Sequence, residues 1–204
     1  MLPINKQYVI MLLAAGQSRR MGRPKQLLPY KGQPMVLHAV QSALGSKLGP
    51  VLVVLGANAS LLQPMLQPLP VHTLVNEQWQ QGMASSIKAG LQLMLQQWPR
   101  ATHLLIMLAD QPFVTAHTLQ QLAQLQQQTS KPAAACAYAQ AWGTPAIFDS
   151  TFWPALLTLQ GDTGARKLLA KHPEQVAILP FEKGTVDIDT WDDYQNLSRQ
   201  DTNP

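Results

Sequence analysis

The sequence predicts a single α/β domain over residues 1–204, three layers deep (α/β/α), with a mainly parallel, Rossmann-like sheet. Three observations carry this prediction. Strand-like and helix-like segments alternate through the first two thirds of the chain. The strand-like segments are uniformly apolar, as strands covered on both faces are. No linker or internal repeat divides the 204 residues, a length that suits one domain around one core.

Each element follows from its local pattern. Tyr8–Ala14 is a continuous apolar strand, Met35–Leu44 reads as a helix, Val51–Gly56 is a second buried strand and Val71–Asn76 a shorter third. Met83, Ile87, Leu91, Met94, Leu95 and Trp98 recur at helical spacing and give a long amphipathic helix. His103–Ala109 is the next buried strand and stops at Asp110-Gln111-Pro112; Thr115 is placed to cap a helix through Gln128. Ala133–Tyr138 resumes a strand. The last third is less regular. Trp142-Gly143-Thr144-Pro145 reads as a turn, Ala146–Phe148 as a short strand, Gly161–Gly164 as the approach to a helix containing Arg166, and Val176–Leu179 as a strand. A final helix begins near Trp191, and the tail after Arg199 is expected to fray. Right-handed crossovers then collect the loop after Ala14, the segment Asn76–Ser86 and Asp110 on one sheet edge, where ligands of open α/β sheets bind.

Composition narrows the function classes. Hydrophobic residues make up 46% and charged residues 13%, so the chain is globular. The net charge of +4 suits an anionic ligand, but the basic excess is gathered in one loop without aromatic interleaving, so no nucleic-acid partner is expected. No segment reaches the roughly 18 apolar residues of a membrane span. Arg19 and Arg20 follow the early apolar run, the wrong side for a signal peptide, and a soluble cytoplasmic protein with no membrane partner is expected. The single cysteine, Cys136, excludes an internal disulfide and reads as a buried, inert thiol.

The chemistry is concentrated in VIMLLAAGQSRRMGRPKQLL, Val9 to Leu28. An apolar strand empties into the small residues Ala14-Ala15-Gly16 and then a loop with Arg19, Arg20, Arg23 and Lys25, stiffened by Pro24. Small residues let backbone N–H groups approach phosphate oxygens, and fixed cations neutralise them. The loop matches neither G-x-x-x-x-G-K-[ST] nor G-x-G-x-x-G. It reads instead G-x-S-x-R-M-G-x-x-K through Gly16, Ser18, Arg20, Met21, Gly22 and Lys25, and continues into Leu27-Leu28-Pro29.

With these residues the chain resembles the nucleotidyltransferases that act on molybdenum cofactor, in the MobA-like superfamily, and most of all their cytidylyltransferase branch. The resemblance continues at Asn76…Gly82-Met83-Ala84-Ser85-Ser86-Ile87, Asp110-Gln111-Pro112, Gly161-Asp162-Thr163-Gly164-Ala165-Arg166 and Asp187-Ile188-Asp189-Thr190. It implies Mg²⁺-dependent transfer of a nucleotidyl group from a nucleoside triphosphate, CTP, to the phosphate of molybdopterin, with release of pyrophosphate. It also implies a nucleotide half over about 8–128 and an acceptor half over about 133–198. Such a reaction rests on positioning and charge stabilisation, which explains why no Ser-His-Asp set is needed. The five histidines likewise show no metal-ligand spacing.

In that picture Leu13, Ala14, Ala15, Gly16 and Ser18 approach the nucleotide, Arg20 and Lys25 neutralise the triphosphate, and Lys25 meets the α-phosphate. Arg19 is the weaker candidate. Asp110, an acid ending an apolar strand, is the leading Mg²⁺ ligand, because a carboxylate there is costly unless solvated or paired. Asp187 is the expected second ligand; Asp189 shares its face of an extended segment and equally fits the start of the last helix. Asn76, Gly82, Ser85 and Ser86 are expected to read the base, with Ser85 and Ser86 equally at home in the first turn of the long helix. Ala15 stands where guanylyl-transferring relatives tend to carry glycine, which favours CTP. Gly161, Asp162 and Arg166, with Gly143, Thr144 and Asp189, are expected at the acceptor; Arg166 equally suits a surface ion pair. The branch commonly shows Gly-His-Pro where this chain has Gly143-Thr144-Pro145, and proline where it has Trp191. These departures leave the nucleotide half intact and leave the acceptor open. A sugar or alditol phosphate acceptor, or a non-catalytic nucleotide- or cofactor-binding chaperone, are the alternatives. A molybdoenzyme or its chaperone is a further partner to consider.

Overall fold

The computed structural model describes residues 6–138, 141–182, 188 and 190–200. Its elements in chain order are β1 (Tyr8–Ala14), a small hairpin of β2 (Pro29–Tyr30) and β3 (Gln33–Pro34), α1 (Met35–Gly45), β4 (Val51–Leu55), α2 (Ala59–Leu66) and β5 (His72–Val75). Then come α3 (Met83–Gln97), β6 (His103–Leu108), α4 (Ala116–Thr129), β7 (Ala133–Tyr138), β8 (Ala141–Asp149), α5 (Trp153–Leu157), α6 (Ala165–Lys171), β9 (Val176–Pro180) and α7 (Trp191–Gln200).

Seven strands form one sheet in the order β5-β4-β1-β6-β8-β7-β9. The pairs β4–β5, β1–β4, β1–β6 and β7–β9 are parallel, whereas β8 runs antiparallel to both β6 and β7. Strand residues alternate between faces, and both faces are covered. Ile10, Leu12 and Ala14 of β1 face α1, α2 and α4 through Val40, Leu62 and Leu122. Val9, Met11 and Leu13 face α3, α5 and α6 through Leu91, Leu156 and Leu169. This is why the central strands lack polar alternation, and it confirms the three-layer α/β/α class. The α4 cap stands as its sequence indicates: Thr115 Oγ1 accepts the Thr118 N–H at 3.2 Å. No helix among the described residues is long and apolar enough to cross a membrane.

Two sequence expectations change. Trp142–Pro145, expected as a turn, lies within the nine-residue strand β8. The register slips there, with Ala135 opposite Ala146 but Cys136 opposite Gly143, and that irregularity is where a strand accommodates a residue without an N–H. The β2–β3 hairpin and α2 are additions, both too short to announce themselves by periodicity. The final helix, expected from near Trp191, is α7 and ends at Gln200; residues 201–204 of the tail expected to fray lie outside the described set.

A third, smaller core joins the two ends of the chain. Leu28, Tyr30 and Met35 pack with Ile188 and Leu197, and the Tyr194 hydroxyl donates to the Pro29 carbonyl at 2.8 Å. The C-terminal segment is thereby clamped beside the opening loop.

Candidate active site

The C-terminal ends of β1 and β6 open into a cavity of about 360 Å³. Its walls are the loop residues Leu13–Gln17, Arg19, Lys25 and Gln26; then Trp79, Gln80, Gly82, Met83 and Ser86; then Leu108–Asp110; and Asp162. The sheet edge therefore gathers the segments that the strand pattern placed there.

The loop is held in shape by its own polar groups. Ser18 adopts the left-handed conformation (φ +59°), and its hydroxyl accepts the Lys25 N–H at 3.0 Å, closing the loop on itself. Gln26, only 3% exposed, donates its amide to the carbonyls of Gly16 at 2.8 Å and Ala14 at 3.4 Å. Asn58 adds a bond to the Gly16 carbonyl at 3.2 Å. The carbonyls are thus turned toward protein donors. The N–H groups of Gly16 and Gln17 have no backbone acceptor among the described residues, which suits an anion.

Lys25 and Asp110 form an ion pair across the cavity floor, each side chain about 15% exposed. The pair commits Asp110 Oδ2. Asp110 Oδ1 is buried without a hydrogen-bond partner among the described residues. An orphaned buried acceptor costs about 1–3 kcal/mol, and an anionic one more, unless something positive or protic meets it. A divalent cation bridging to phosphate fits that oxygen. No cluster of three or more His, Cys, Asp or Glu occurs among the described residues. The expected second ligand, Asp187, and its neighbour Asp189 lie outside those residues. Ile188 between them is fully buried, and its N–H donates to the Asp110 carbonyl at 3.2 Å.

Several expected residues stand elsewhere than the nucleotide wall. Arg19 lines the cavity, with its Nε donating to Gln17 Oε1 at 3.0 Å, whereas Arg20 lies outside the lining. Both sit on the tight turn Arg19–Met21, where successive side chains diverge by about 120°, so sequence order alone cannot say which one faces inward. Asn76 and Ser85 also lie behind the wall, lining a separate hollow with Val75, Glu77 and Lys88; of the residues expected to read the base, Gly82 and Ser86 line the main cavity. Gly82 has φ +93°, and a Cβ there would come within 2.4 Å of the Gly161 carbonyl carbon and 2.6 Å of Asp162 Oδ1. The space it leaves is therefore filled by the Gly161–Asp162 chain. The Gly161 carbonyl accepts the Ala84 N–H at 3.0 Å, and this brings Asp162 onto the cavity wall.

Of the other described residues expected at the acceptor, Gly143, Thr144, Gly161 and Arg166 do not line the cavity. A Cβ on Gly143 would lie 2.0 Å from the Tyr138 hydroxyl, so Tyr138 accounts for the glycine. The Thr144 carbonyl accepts the Gln111 amide at 3.1 Å, next to Asp110 in sequence. Arg166 is exposed on α6.

Gln26, Asn58 and Trp79 were not legible as site residues, and Met83 was reached only as part of the Gly82–Ser86 stretch. Glutamine recurs throughout this chain and its runs read as solvent-facing helix positions, which hid the burial of Gln111, of Gln126 on α4, and of Gln26 in the loop. The only signal for Gln26 was its position inside the loop motif, between Lys25 and Leu27. Two titratable groups lie well away from the cavity. His103 stacks on Tyr8 at 4.9 Å between ring centres and is lowered to about 4 by burial, assisted by Lys6 and opposed by Asp149. Burial pushes the Cys136 thiol up to about 12, consistent with an inert side chain.

A parallel-sheet edge bearing a small-residue loop, a Lys–Asp pair and a metal-capable carboxylate defines a nucleotide-binding α/β enzyme. The chain belongs to the MobA-like NTP transferase domain family, whose model matches residues 10–176, and it is a nucleotidyltransferase. It is 34% identical over 190 residues to nicotine blue oxidoreductase of Paenarthrobacter nicotinovorans, covering 88% of this chain and 90% of that one. It is 31% identical over 199 residues to purine catabolism protein PucB of Bacillus subtilis (strain 168), covering 92% and 94%. Among solved structures, Rv0371c from Mycobacterium tuberculosis H37Rv matches with a TM-score of 0.82 at 32% identity, covering 95% of this chain and 98% of that one. The complex of Rv0371c with manganese matches with a TM-score of 0.78 at 30% identity, covering 94% and 98%.

Proposed function

We propose that this protein is a cytoplasmic cytidylyltransferase that moves the CMP group of CTP onto the phosphate of molybdopterin in molybdenum cofactor. The observation that carries the reading is the Lys25–Asp110 pair, with the unpartnered Asp110 oxygen, at the foot of a loop shaped for phosphate. An oxygen of the acceptor phosphate attacks the α-phosphorus of CTP, the bond to the bridging oxygen of the β-phosphate breaks, and pyrophosphate leaves. No covalent enzyme intermediate is required.

The loop N–H groups, Arg19 and Arg20 hold the β- and γ-phosphates. Lys25 neutralises charge at the α-phosphate. Asp110, with Asp187 as its partner, would hold Mg²⁺, which when bound supplies further charge neutralisation on the phosphates. The complex of the similar Rv0371c with manganese supports a divalent ion as the metal. The bond from Ile188 to Asp110 supports recruitment of its neighbour Asp187. Asp162, Gly161, Arg166, Gly143, Thr144 and Asp189 belong to the acceptor side of this scheme.

The test is pyrophosphate release with CTP, Mg²⁺ and molybdenum cofactor. Removing one positioned charge from such a site costs about 10²–10³ in rate, so Lys25→Ala and Asp110→Ala should each lose at least that. Full activity in both variants would overturn the assignment. Thr144 and Trp191 favour a second reading, CTP-dependent transfer to a sugar or alditol phosphate. Trp191 is 40% exposed with the Arg23 guanidinium 4.7 Å from its ring centre, so the residue that departs from the family pattern contacts the opening loop. Pyrophosphate release with those acceptors and none with molybdenum cofactor would select that reading.

A further inference from the structure

Three cations of the opening loop differ in what holds them. Arg19 and Lys25 line the cavity, Arg19 bonded to Gln17 and Lys25 to Asp110. Arg23 lies outside that lining and is exposed, with its guanidinium carbon 4.7 Å from the centre of the Trp191 ring. It makes no hydrogen bond or ion pair with a described residue. Contact with the π face of a ring uses no hydrogen-bond acceptor, so it places the guanidinium and leaves N–H donors available at its rim. The ring is itself held. The Thr190 N–H donates to Asp193 Oδ2 at 2.7 Å and the Asp193 N–H to Thr190 Oγ1 at 3.2 Å, a reciprocal cap at the start of α7. Trp191 lies 5.3 Å from the Tyr194 ring, and Tyr194 is bonded to the Pro29 carbonyl.

Both partners are tied to the Lys25–Asp110 pair. Arg23 precedes Lys25 by two residues, with Pro24 between them, and Trp191 follows Ile188 by three, the Ile188 N–H being bonded to the Asp110 carbonyl. Three residues span at most about 11 Å, so Arg23 and Trp191 stand beside the pair and outside the cavity it floors. In-line transfer brings the acceptor to the α-phosphorus from the side opposite the departing pyrophosphate. A phosphate monoester carries about two negative charges and approaches a triphosphate, so it needs a cation other than those already on the triphosphate. We propose that Arg23, held on Trp191, binds the acceptor's phosphate monoester through the edge of its guanidinium. Trp191 is a positioning residue, since it touches Arg23 and acts through it. The inference rests on the transferase reading above, and it holds for any acceptor that presents a phosphate monoester.

The test is steady-state pyrophosphate release by the full chain with CTP, Mg²⁺ and molybdenum cofactor, each substrate varied at saturation of the other. Arg23→Ala should raise the KM for the cofactor at least about tenfold, the scale of a hydrogen bond to a charged group, and move the KM for CTP less than about twofold. Arg23→Lys keeps the charge without the planar fork and should fall between. Trp191→Ala should raise the acceptor KM about two- to fivefold, the scale of an exposed cation–π contact, and Trp191→Phe should restore it. If the wild type uses a sugar or alditol phosphate instead, the same split is read with that acceptor. An unmoved acceptor KM in Arg23→Ala overturns this inference and leaves the transferase reading standing. A rise in Trp191→Ala that phenylalanine does not reverse overturns the role of the ring. A wild type that releases pyrophosphate with no phosphate monoester overturns both the inference and the reading beneath it.

Discussion

The two halves of the sheet solve different problems. On the nucleotide side, β5, β4, β1 and β6 are all parallel, so their C-terminal ends converge and every loop that leaves them can contribute to one cavity. On the acceptor side, β8 reverses direction between β6 and β7, and among the described residues only Asp162 reaches the cavity wall. That reach depends on a single backbone contact, Gly82 against Gly161, and on the bond from Ala84 to the Gly161 carbonyl. Under the proposed function, a nucleotide site built mostly from the parallel half can keep its chemistry while the acceptor side varies.

The largest expected effect sharpens this contrast. Asp110→Asn keeps the side-chain shape but removes the charge that pairs with Lys25 and meets a cation. It should lower the rate of pyrophosphate release by about 10²-fold or more. Arg166→Ala, on the exposed face of α6, should instead change only the KM for the acceptor, and by less than tenfold, at unchanged kcat. Equal losses in the two variants would break the division into halves.

Gly82→Ala tests the seam at which Gly161 meets the start of α3. Alanine at φ +93° is strained, and its Cβ would strike Gly161 backbone, so a loss of about 2 kcal/mol or more in denaturant unfolding is expected. A neutral result would mean the seam opens without cost. Gln26→Leu tests how the loop is pre-formed. With the amide bonds to Gly16 and Ala14 gone, the KM for CTP should rise by about tenfold, while kcat falls less and melting temperature moves little. An unchanged KM would assign the loop's shape to Ser18 and Asn58 alone.

The smallest effect belongs to His103, remote from both substrates. Its folded value near 4 lies below the unfolded value of 6.5, so between these pH values the unfolded chain binds the extra proton. The contribution of neutral His103 is fully present above about pH 6.5 and is lost as pH falls toward 4, at no more than about 1.4 kcal/mol per pH unit. His103→Phe should flatten that limb of the unfolding curve without altering activity at pH 7.5. An unchanged limb would place its origin in the carboxylates.

The extent to which the site was readable differs from residue to residue, for physical reasons. Asp110 stood out because a carboxylate at the end of HLLIMLA conflicts with its apolar surroundings, and that conflict is visible in one dimension. Lys25 stood out because cations beside small residues after a buried strand have few other uses. Gln26 did not, since its value lies in burial against carbonyls ten and twelve residues away, and an exposed glutamine has the same letter. Gly82 announced a close approach, but not that the approaching chain was Gly161. Asn76 and Ser85 were chosen for hydroxyl and amide chemistry; the structure uses that chemistry internally and delivers one hydroxyl, Ser86, to the cavity.

By itself, the sequence determined the buried strands, the helices long enough to show a period, and the collection of strand ends, loop cations and Asp110 along one edge. These depend on hydrophobic pattern and chain order, which are local. Only the tertiary structure decided that β8 runs antiparallel through Thr144-Pro145, that Arg19 lines the cavity, and that Ser86 lines it while its hydrogen-bond partner Asn76 does not. Strand direction beyond the last regular crossover, side-chain facing in a tight turn and hydrogen-bond pairing all depend on partners distant in the chain, and no local pattern encodes them.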